Sequence, residues 1–248
     1  MAYFEAFASV YDIFTEGVDY KTRAEYILSL LKHSGTEKGT LLDLACGTGT
    51  LTVEFCKKGF EVIAVDLSED MLLSAREKLA PFGDKALILC QDMCELDLFG
   101  TVNCAVCSLD SINHLDNIKE VKTAFEKVSL FMEPGGVFVF DVNTLYKHSD
   151  VLADNTFVYE CADAFLVWQN SLQKNGRSVD IMLDIFTQNE NGLYERESED
   201  FTETAYSEDE IKEALLQAGF TDIEMFDDLS FDKPTEKSER IYFTAKKK

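Results

Sequence analysis

The stretch Asp43-Leu44-Ala45-Cys46-Gly47-Thr48-Gly49-Thr50 decides the fold of this chain. Apolar residues lead into it, and Gly39 to Ala45 reads as a strand. Thr50 to Lys58 behind it reads as a helix, closed by Gly59 in the position after the cap and preceded by two lysines that suit a helix C-terminus. Glycines at such a strand-to-helix turn let backbone approach a ligand closely. In an open parallel sheet, the crevice at the C-terminal strand ends is the usual ligand site.

Working outward, apolar runs alternate with helical patterns to residue 142. Glu61 to Asp66 is a second strand. Ser68 is a helix N-cap, with Glu69 and Asp70 in the first turn and a helix to about Ala80. Ala86 to Cys90 and Val102 to Cys107 are the third and fourth strands. Asp116 is the expected cap of a helix whose apolar face is Ile118, Val121, Phe125, Val128 and Phe131. Pro134-Gly135-Gly136 stops that helix, and Val137 to Phe140 is a fifth strand. Continuous apolar strands with helical crossovers imply a parallel sheet covered on both faces. After residue 150 the period changes. Phe157–Ala162, Phe165–Gln173, Val179–Gln188 and a run from Leu193 to about Tyr206 read as strands, with Asn175-Gly176 and Asn191-Gly192 as hairpin turns. A capping box at Ser207 to Glu210 restarts a helix that ends at Gly219. Two last strands lie near Thr221–Phe226 and Arg240–Ala245. The expected organisation is an α/β domain (1–150 and 207–248) with an inserted antiparallel meander (151–206).

The 248 residues carry a net charge of −23 and are 46% hydrophobic. That is too apolar for a disordered acidic tail. So acidic a surface repels nucleic acid and anionic membranes, since neutralising phosphates takes Lys and Arg. The N-terminus lacks the basic and apolar regions of a signal peptide, and no run is long enough to span a bilayer. Seven cysteines, an odd number scattered through apolar stretches, suit reduced thiols and a cytoplasmic protein. Cys104 and Cys107 form a nominal CxxC, but on a strand residues three apart point to opposite faces. No metal site is expected.

Asp66 ends the second strand, where a carboxylate can accept two hydrogen bonds from a ribose diol. Either a dinucleotide or another adenosine cofactor fits so far. The dinucleotide fingerprint needs glycine at position 52, which is Thr52. Asp43 at the start of the turn would repel a pyrophosphate, yet suits the ammonium and sulfonium of S-adenosylmethionine. Gln91-Asp92-Met93 after the third strand offers a carboxylate to an adenine amino group.

Together, Asp43 to Gly49, Val65 to Met71, Asp92-Met93, Cys107 to Leu115 and Pro134-Gly135-Gly136 resemble the class I S-adenosylmethionine-dependent methyltransferases. Ala45 departs from the pattern, where many members have glycine. The resemblance implies a Rossmann-like seven-stranded sheet whose last strand is antiparallel. It implies that the Ala45-Cys46-Gly47 region holds the methionine end, Asp66 the ribose, and Asp92 with Met93 the adenine. Leu67 and Met71 would pack around the adenosine, and the backbone at Cys107 and Ser108 would hold the amino group.

Methyl transfer is an in-line displacement in which the protein mainly supplies alignment, and a base is needed only if the nucleophile arrives protonated. His114 is the candidate base, because imidazole titrates near neutrality; packing is the other reading. Tyr11-Asp12, Ser111-Ile112-Asn113-His114-Leu115 and the four-stranded insertion resemble the nucleotide-sugar N-methyltransferases, and also a group of bacterial methyltransferases with unassigned substrates. The narrower resemblance implies that His114 and Tyr11 lie beside the acceptor amine. Phe4, Phe7, Val10, Tyr11 and Phe14 follow helical spacing, which suits core packing; Tyr11 and Tyr20 can alternatively form a lid over the cofactor that excludes water. Asn113, His114 and Trp168 are the candidate substrate residues, although Trp168 equally suits sheet packing. Glu195, Glu197 and Glu199 share one strand face, either solvated or facing a cationic substrate. The expected activity is methyl transfer to nitrogen or oxygen of a small molecule, with S-adenosylmethionine as cofactor. An RNA or protein methyltransferase on the same fold, and a non-catalytic adenosine-ligand sensor, are the alternatives.

Overall fold

The computed structural model describes Ala8, residues 10–161 and residues 164–248. Phe4 and Phe7, two positions of the N-terminal helical pattern, lie outside the described residues. A short helix, α1 (Tyr11–Phe14), is followed by α2 (Tyr20–His33). Then come β1 (Thr40–Leu44), α3 (Thr50–Lys57), β2 (Glu61–Asp66), α4 (Glu69–Leu79), β3 (Ala86–Cys90) and β4 (Val102–Cys107). Helix α5 (Ile118–Leu130) leads into β5 (Met132–Asn143). Strands β6 (Thr156–Cys161), β7 (Ala164–Leu172), β8 (Ser178–Gln188) and β9 (Tyr194–Thr204) precede α6 (Glu208–Gln217), β10 (Phe220–Asp227) and β11 (Arg240–Lys247).

Seven strands form one sheet in the order β10-β11-β5-β4-β1-β2-β3, and β6-β7-β8-β9 form a second. In the large sheet β1 pairs parallel with β2 and β4, while β11 runs antiparallel to both β5 and β10. The chain therefore builds outward from β1 to β3, then returns to β4 on the other flank. That reversal leaves a crevice beyond the C-terminal ends of β1 and β4. This is the seven-stranded α/β architecture expected, with the smaller antiparallel sheet as a meander.

Each face of the large sheet is packed. On one, α5 and α6 cover β4, β5 and β11; Phe125, Phe138, Phe140, Phe220 and Phe243 form its centre. Phe140 and Phe243 stack with ring centroids 5.1 Å apart, a contact worth about 0.5–1.5 kcal/mol beyond burial. On the other face, α2, α3 and α4 bury Ile27, Leu30, Phe55 and Leu72 against the sheet. Cys104 belongs to this second face and Cys107 to the first, so their sulfurs do point apart. A third cluster forms where Val179, Ile181, Leu183 and Ile185 of β8 meet Val10 and Leu152.

Local chemistry sets the helix starts. Ser68 accepts from the backbone N–H of Met71, and Ser207 with Glu210 forms the capping box. One cap differs from expectation: α5 is capped by Asn117, not Asp116. Asn117 is extended, so its side-chain oxygen reaches the N–H groups of Lys119 and Glu120; the backbone of Asp116 instead donates to the Glu120 carboxylate. Among the described residues no helix is long and apolar enough to cross a membrane.

Candidate active site

The glycine-rich turn joins β1 to α3 through three residues of positive φ: Ala45 (57°), Gly47 (56°) and Gly49 (75°). The two glycines serve different ends. A Cβ on Gly47 would meet no protein atom within 4 Å, so Gly47 supplies conformation and leaves open space above it. A Cβ on Gly49 would press on Ala75 at 3.0 Å, so Gly49 lets α3 lie close to α4. Ala45 holds the left-handed region with a methyl group, at about 1–2 kcal/mol. Two hydrogen bonds strap the turn to the end of β2: Cys46 N–H to the Val65 carbonyl (3.0 Å) and Gly47 N–H to Asp66 Oδ2 (2.8 Å).

Three carboxylates line this end of the sheet. Asp43 is buried and accepts from the Thr52 hydroxyl at 2.5 Å. Burial pushes its carboxyl up to about 7; the Thr52 bond opposes the rise and the charge of Asp66 adds to it. Asp66 is also raised by burial, against the pull of bonds from the Ser68, Gly47 and Leu67 backbone. Asp92 accepts from the Cys94 N–H at 2.7 Å, which fixes its carboxylate just past β3. Met93 is partly buried against the core, Met71 is buried, and Leu67 is exposed beside them.

Across the crevice, β4 ends in an unusual turn. Leu109 and Asp110 both adopt positive φ, 61° and 56°. Asp141 of β5, fully buried, holds this turn by accepting from the Ser108 hydroxyl (2.9 Å) and the N–H groups of Leu109 (2.8 Å) and Asp110 (3.0 Å). Arg240, at the start of β11, donates to both Asp141 and Asp110. Burial alone would raise the Asp110 carboxyl, but Arg240, with Lys147 and His114 near it, outweighs burial and holds it far below the usual range. Lys147 and Arg240 also line a cavity of about 320 Å³ that includes Lys237, Asp227, Asp228 and Glu239.

Tyr11 and Tyr20 meet at the edge of this cluster. Burial raises the Tyr11 phenol well above its usual value, and Tyr20 and Asp110 add to the effect. Asp12, next along α1, accepts from the Thr48 hydroxyl at 2.7 Å and from Lys78 Nζ, so the helix is tied directly to the glycine-rich turn. Its carboxyl is lowered: burial raises it, but the bonds from Lys78 and Thr48 prevail.

His114 follows in a short 3-10 turn, its side chain one-third exposed. Its Nε2 lies 3.9 Å from Oε1 of the buried Glu203 in β9, and its ring packs at 5.3 Å from Phe201. Asn113, expected beside the substrate, is instead wholly buried with its amide fully used. It donates to the carbonyls of Asn143 and Thr204 (3.1 Å each) and accepts from the Asn143 N–H at 2.9 Å. That stitches the β4 loop to β5 and β9. Trp168 donates to Asn170 at 2.7 Å and packs edge-on against Phe157, which places it in sheet packing. The register pairs Glu199 with Leu183 and Glu197 with Ile185, so these glutamates share the apolar face of the meander. Glu195 and Glu197 extend beyond its packed part into solvent, whereas Glu199 is partly buried.

Asp141, Arg240, Glu203 and His148 belong to this site yet stand out in no sequence motif. Arg240 opens a strand and Glu203 sits in the run Glu195 to Glu203, where its neighbours look alike. An isolated buried charge is visible only once its partners are brought together by strand pairing.

A glycine turn open above Gly47, three carboxylates at successive strand ends and a second polar cluster across the switch point define an adenosine-cofactor transferase. Comparison with known proteins gives the family. Residues 41–136 match a methyltransferase domain model. YqeM of Bacillus subtilis (strain 168), provisionally named a methyltransferase, is 34% identical over 245 residues, covering 98% of this chain and 97% of the relative. The crystal structure of an S-adenosylmethionine-dependent methyltransferase from Clostridium acetobutylicum ATCC 824 is 33% identical, covers 98% of each chain and has a TM-score of 0.88. The dTDP-3-amino-3,4,6-trideoxy-alpha-D-glucopyranose N,N-dimethyltransferase of Streptomyces venezuelae is 35% identical over 136 residues, 54% of this chain and 56% of its own. The chain belongs to the S-adenosylmethionine-dependent methyltransferases. Its residues fit that cofactor: carboxylates at Asp43 and Asp66 suit a cationic ligand, and the space over Gly47 admits one against the backbone.

Proposed function

We propose that the chain methylates the nitrogen of an amine carried by a small molecule. Bound S-adenosylmethionine supplies an electrophilic methyl group, whose bond to sulfur breaks, leaving the electron pair on sulfur, as the bond to nitrogen forms. The chain's own residues bind and align. The Ala45-Cys46-Gly47 turn and the backbone at Cys107 and Ser108 take the methionine end, Asp66 the ribose, and Asp92 with Met93 the adenine. Leu67 and Met71 flank the adenosine. The N-terminal helix with Tyr11 and Tyr20 acts as a lid, held by Asp12, and residues 151–206 act as a cap over the acceptor.

The observation that carries the amine reading is the acid wall around His114. Asp110, Asp66 and Glu203 all lie near its imidazole, and two of these carboxylates are tied into buried networks. Such a wall attracts an ammonium. His114 then takes a proton from the ammonium, which frees the nitrogen lone pair to attack. Relatives named for N-methylation of an amino sugar and of glycine support the same class.

The test is a transfer assay with S-adenosylmethionine labelled in its methyl group and a panel of small amines, each paired with its hydroxyl analogue. Label should enter the amines and not the alcohols. Transfer confined to hydroxyls would replace this reading by O-methylation. Cofactor binding without transfer to any acceptor would favour an adenosine-ligand sensor.

A further inference from the structure

Glu203 is a carboxylate in the wrong place for a structural residue. It lies 3% exposed on a face of β9 whose partners across the ladder are Val179, Ile181 and Leu183. A carboxylate on an apolar face is costly unless charged partners compensate it. Its partners come from three separate segments of the large-sheet half. Asn143 Nδ2, at the end of β5, donates to Oε2 at 3.2 Å. His148 Nε2, in a π-helical turn after β5, lies 3.6 Å from the same oxygen. His114 Nε2, in the loop after β4, faces the other oxygen at 3.9 Å.

The geometry of His148 is informative. The ring is fully buried, and its Nδ1 lies 2.8 Å from the Arg177 carbonyl. A carbonyl only accepts, so Nδ1 carries a proton. Nε2 is buried with no hydrogen-bond partner among the described residues, and the nearest acidic group is Glu203. A bare nitrogen lone pair directed at a carboxylate would be repulsive. A proton on Nε2 would remove the repulsion and make His148 and Glu203 an ion pair. π-Turns of this kind gather at functional sites.

We propose that Glu203 is a positioning residue for methyl transfer. His148 and Asn143 hold its carboxylate from behind, and it holds the His114 ring in front. This rests on the reading that His114 accepts the acceptor's proton. The step is simple: an N–H bond of the ammonium breaks, its electron pair stays on nitrogen, and the proton joins the His114 imidazole. The resulting imidazolium lies against a carboxylate that Asn143 holds and His148 faces. Among the described residues, Asp110 and Asp66 also interact electrostatically with His114. The cap thereby contributes to the site: β9 supplies one of the carboxylates beside His114.

The test needs no known acceptor. The chain has three histidines, so a proton–nitrogen correlation spectrum of the imidazole rings can be assigned with His33→Gln and His148→Gln. In the wild type, His148 should show a proton on Nδ1, where the Arg177 carbonyl accepts it. In Glu203→Gln the His148 Nε2 signal and the His114 nitrogen signals should both move, because both atoms face that carboxylate. Glu203→Asp keeps the charge and should restore both patterns in part, which also covers a folding defect in the glutamine variant. Glu197→Gln, on the same strand face but exposed, should move neither ring. Unchanged His114 and His148 signals in Glu203→Gln would overturn the proposal. With the best amine of the panel, Glu203→Gln should lower kcat about tenfold or more, while S-adenosylmethionine affinity stays within about twofold. Altered rings with unchanged kcat would also overturn it. If no amine is methylated, the function reading fails, while the ring spectra still decide whether Glu203 organises both histidines.

Discussion

The two sides of the crevice are built on different principles. On the β1–β2–β3 side, contacts are short-range in sequence and rest on backbone: a glycine turn, its straps to β2, and carboxylates at strand ends. On the β4–β5–β9 side they are long-range and rest on side chains. Arg240 reaches Asp110 and Asp141, and Glu203 faces histidines in two separate loops. A cofactor common to a whole family can be held by backbone geometry that constrains only a few residue types. An acceptor particular to one enzyme must be recognised by side chains, and those change freely while the fold persists.

The sharpest way to break this contrast is to remove the centre of the side-chain network. Arg240→Ala leaves Asp110 and Asp141 as uncompensated buried charges and should cost about 3–5 kcal/mol in denaturant unfolding. Arg240→Lys should recover only part, because ammonium cannot reproduce the forked contact. A loss below about 1 kcal/mol would mean the network is solvated rather than structural.

Next in size is Asn113→Ala. It strands the Asn143 N–H and two carbonyls in a buried place, so a loss of about 2–3 kcal/mol is expected. S-adenosylmethionine affinity should hardly change, since Asn113 ties β4 to β5 and β9 rather than to the turn.

On the backbone side the test is pH. The folded carboxyl of Asp43 titrates at about 7 through burial, above the usual value near 4 in an unfolded chain. The folded state therefore binds the proton more tightly. Its contribution to stability is complete below about pH 4 and is lost as pH rises through about 7. Asp43→Asn removes that dependence, so the variant should gain melting temperature relative to wild type at pH 8 and not at pH 5. An equal difference at both pH values would refute the burial argument.

The smallest effect is expected at the latch. Lys78→Met removes a partly exposed contact with Asp12, and a stability change under about 1 kcal/mol should follow. A larger loss would show that α1 is integral to the core.

The same contrast explains how much of the molecule can be read from its sequence. Strands β3 and β4, the turn at Gly47 and the cap at Ser68 carry local signals: continuous apolar runs, glycine, a serine before acidic residues. Helix α2 carries comparable signals, with Asp19 as its cap and a buried stripe of Ala24, Ile27, Leu30 and Leu31. The position of Asp66 follows from its place after a strand. That of Glu203 does not, because Glu195, Glu197 and Glu199 look the same in sequence and differ only in what faces them. Asn113 was conspicuous beside His114, yet the two diverge: one is buried as a staple, the other faces the acid wall.

Calorimetric titration of S-adenosylmethionine into the wild type, Asp66→Ala and His114→Phe tests the division directly. Asp66→Ala should weaken binding about 100-fold, through loss of charge-assisted hydrogen bonds and of the strap to Gly47. His114→Phe should bind within about threefold of wild type. Undiminished affinity in Asp66→Ala, or a loss in His114→Phe as large as in Asp66→Ala, would contradict the proposal that Asp66 serves the cofactor and His114 the acceptor.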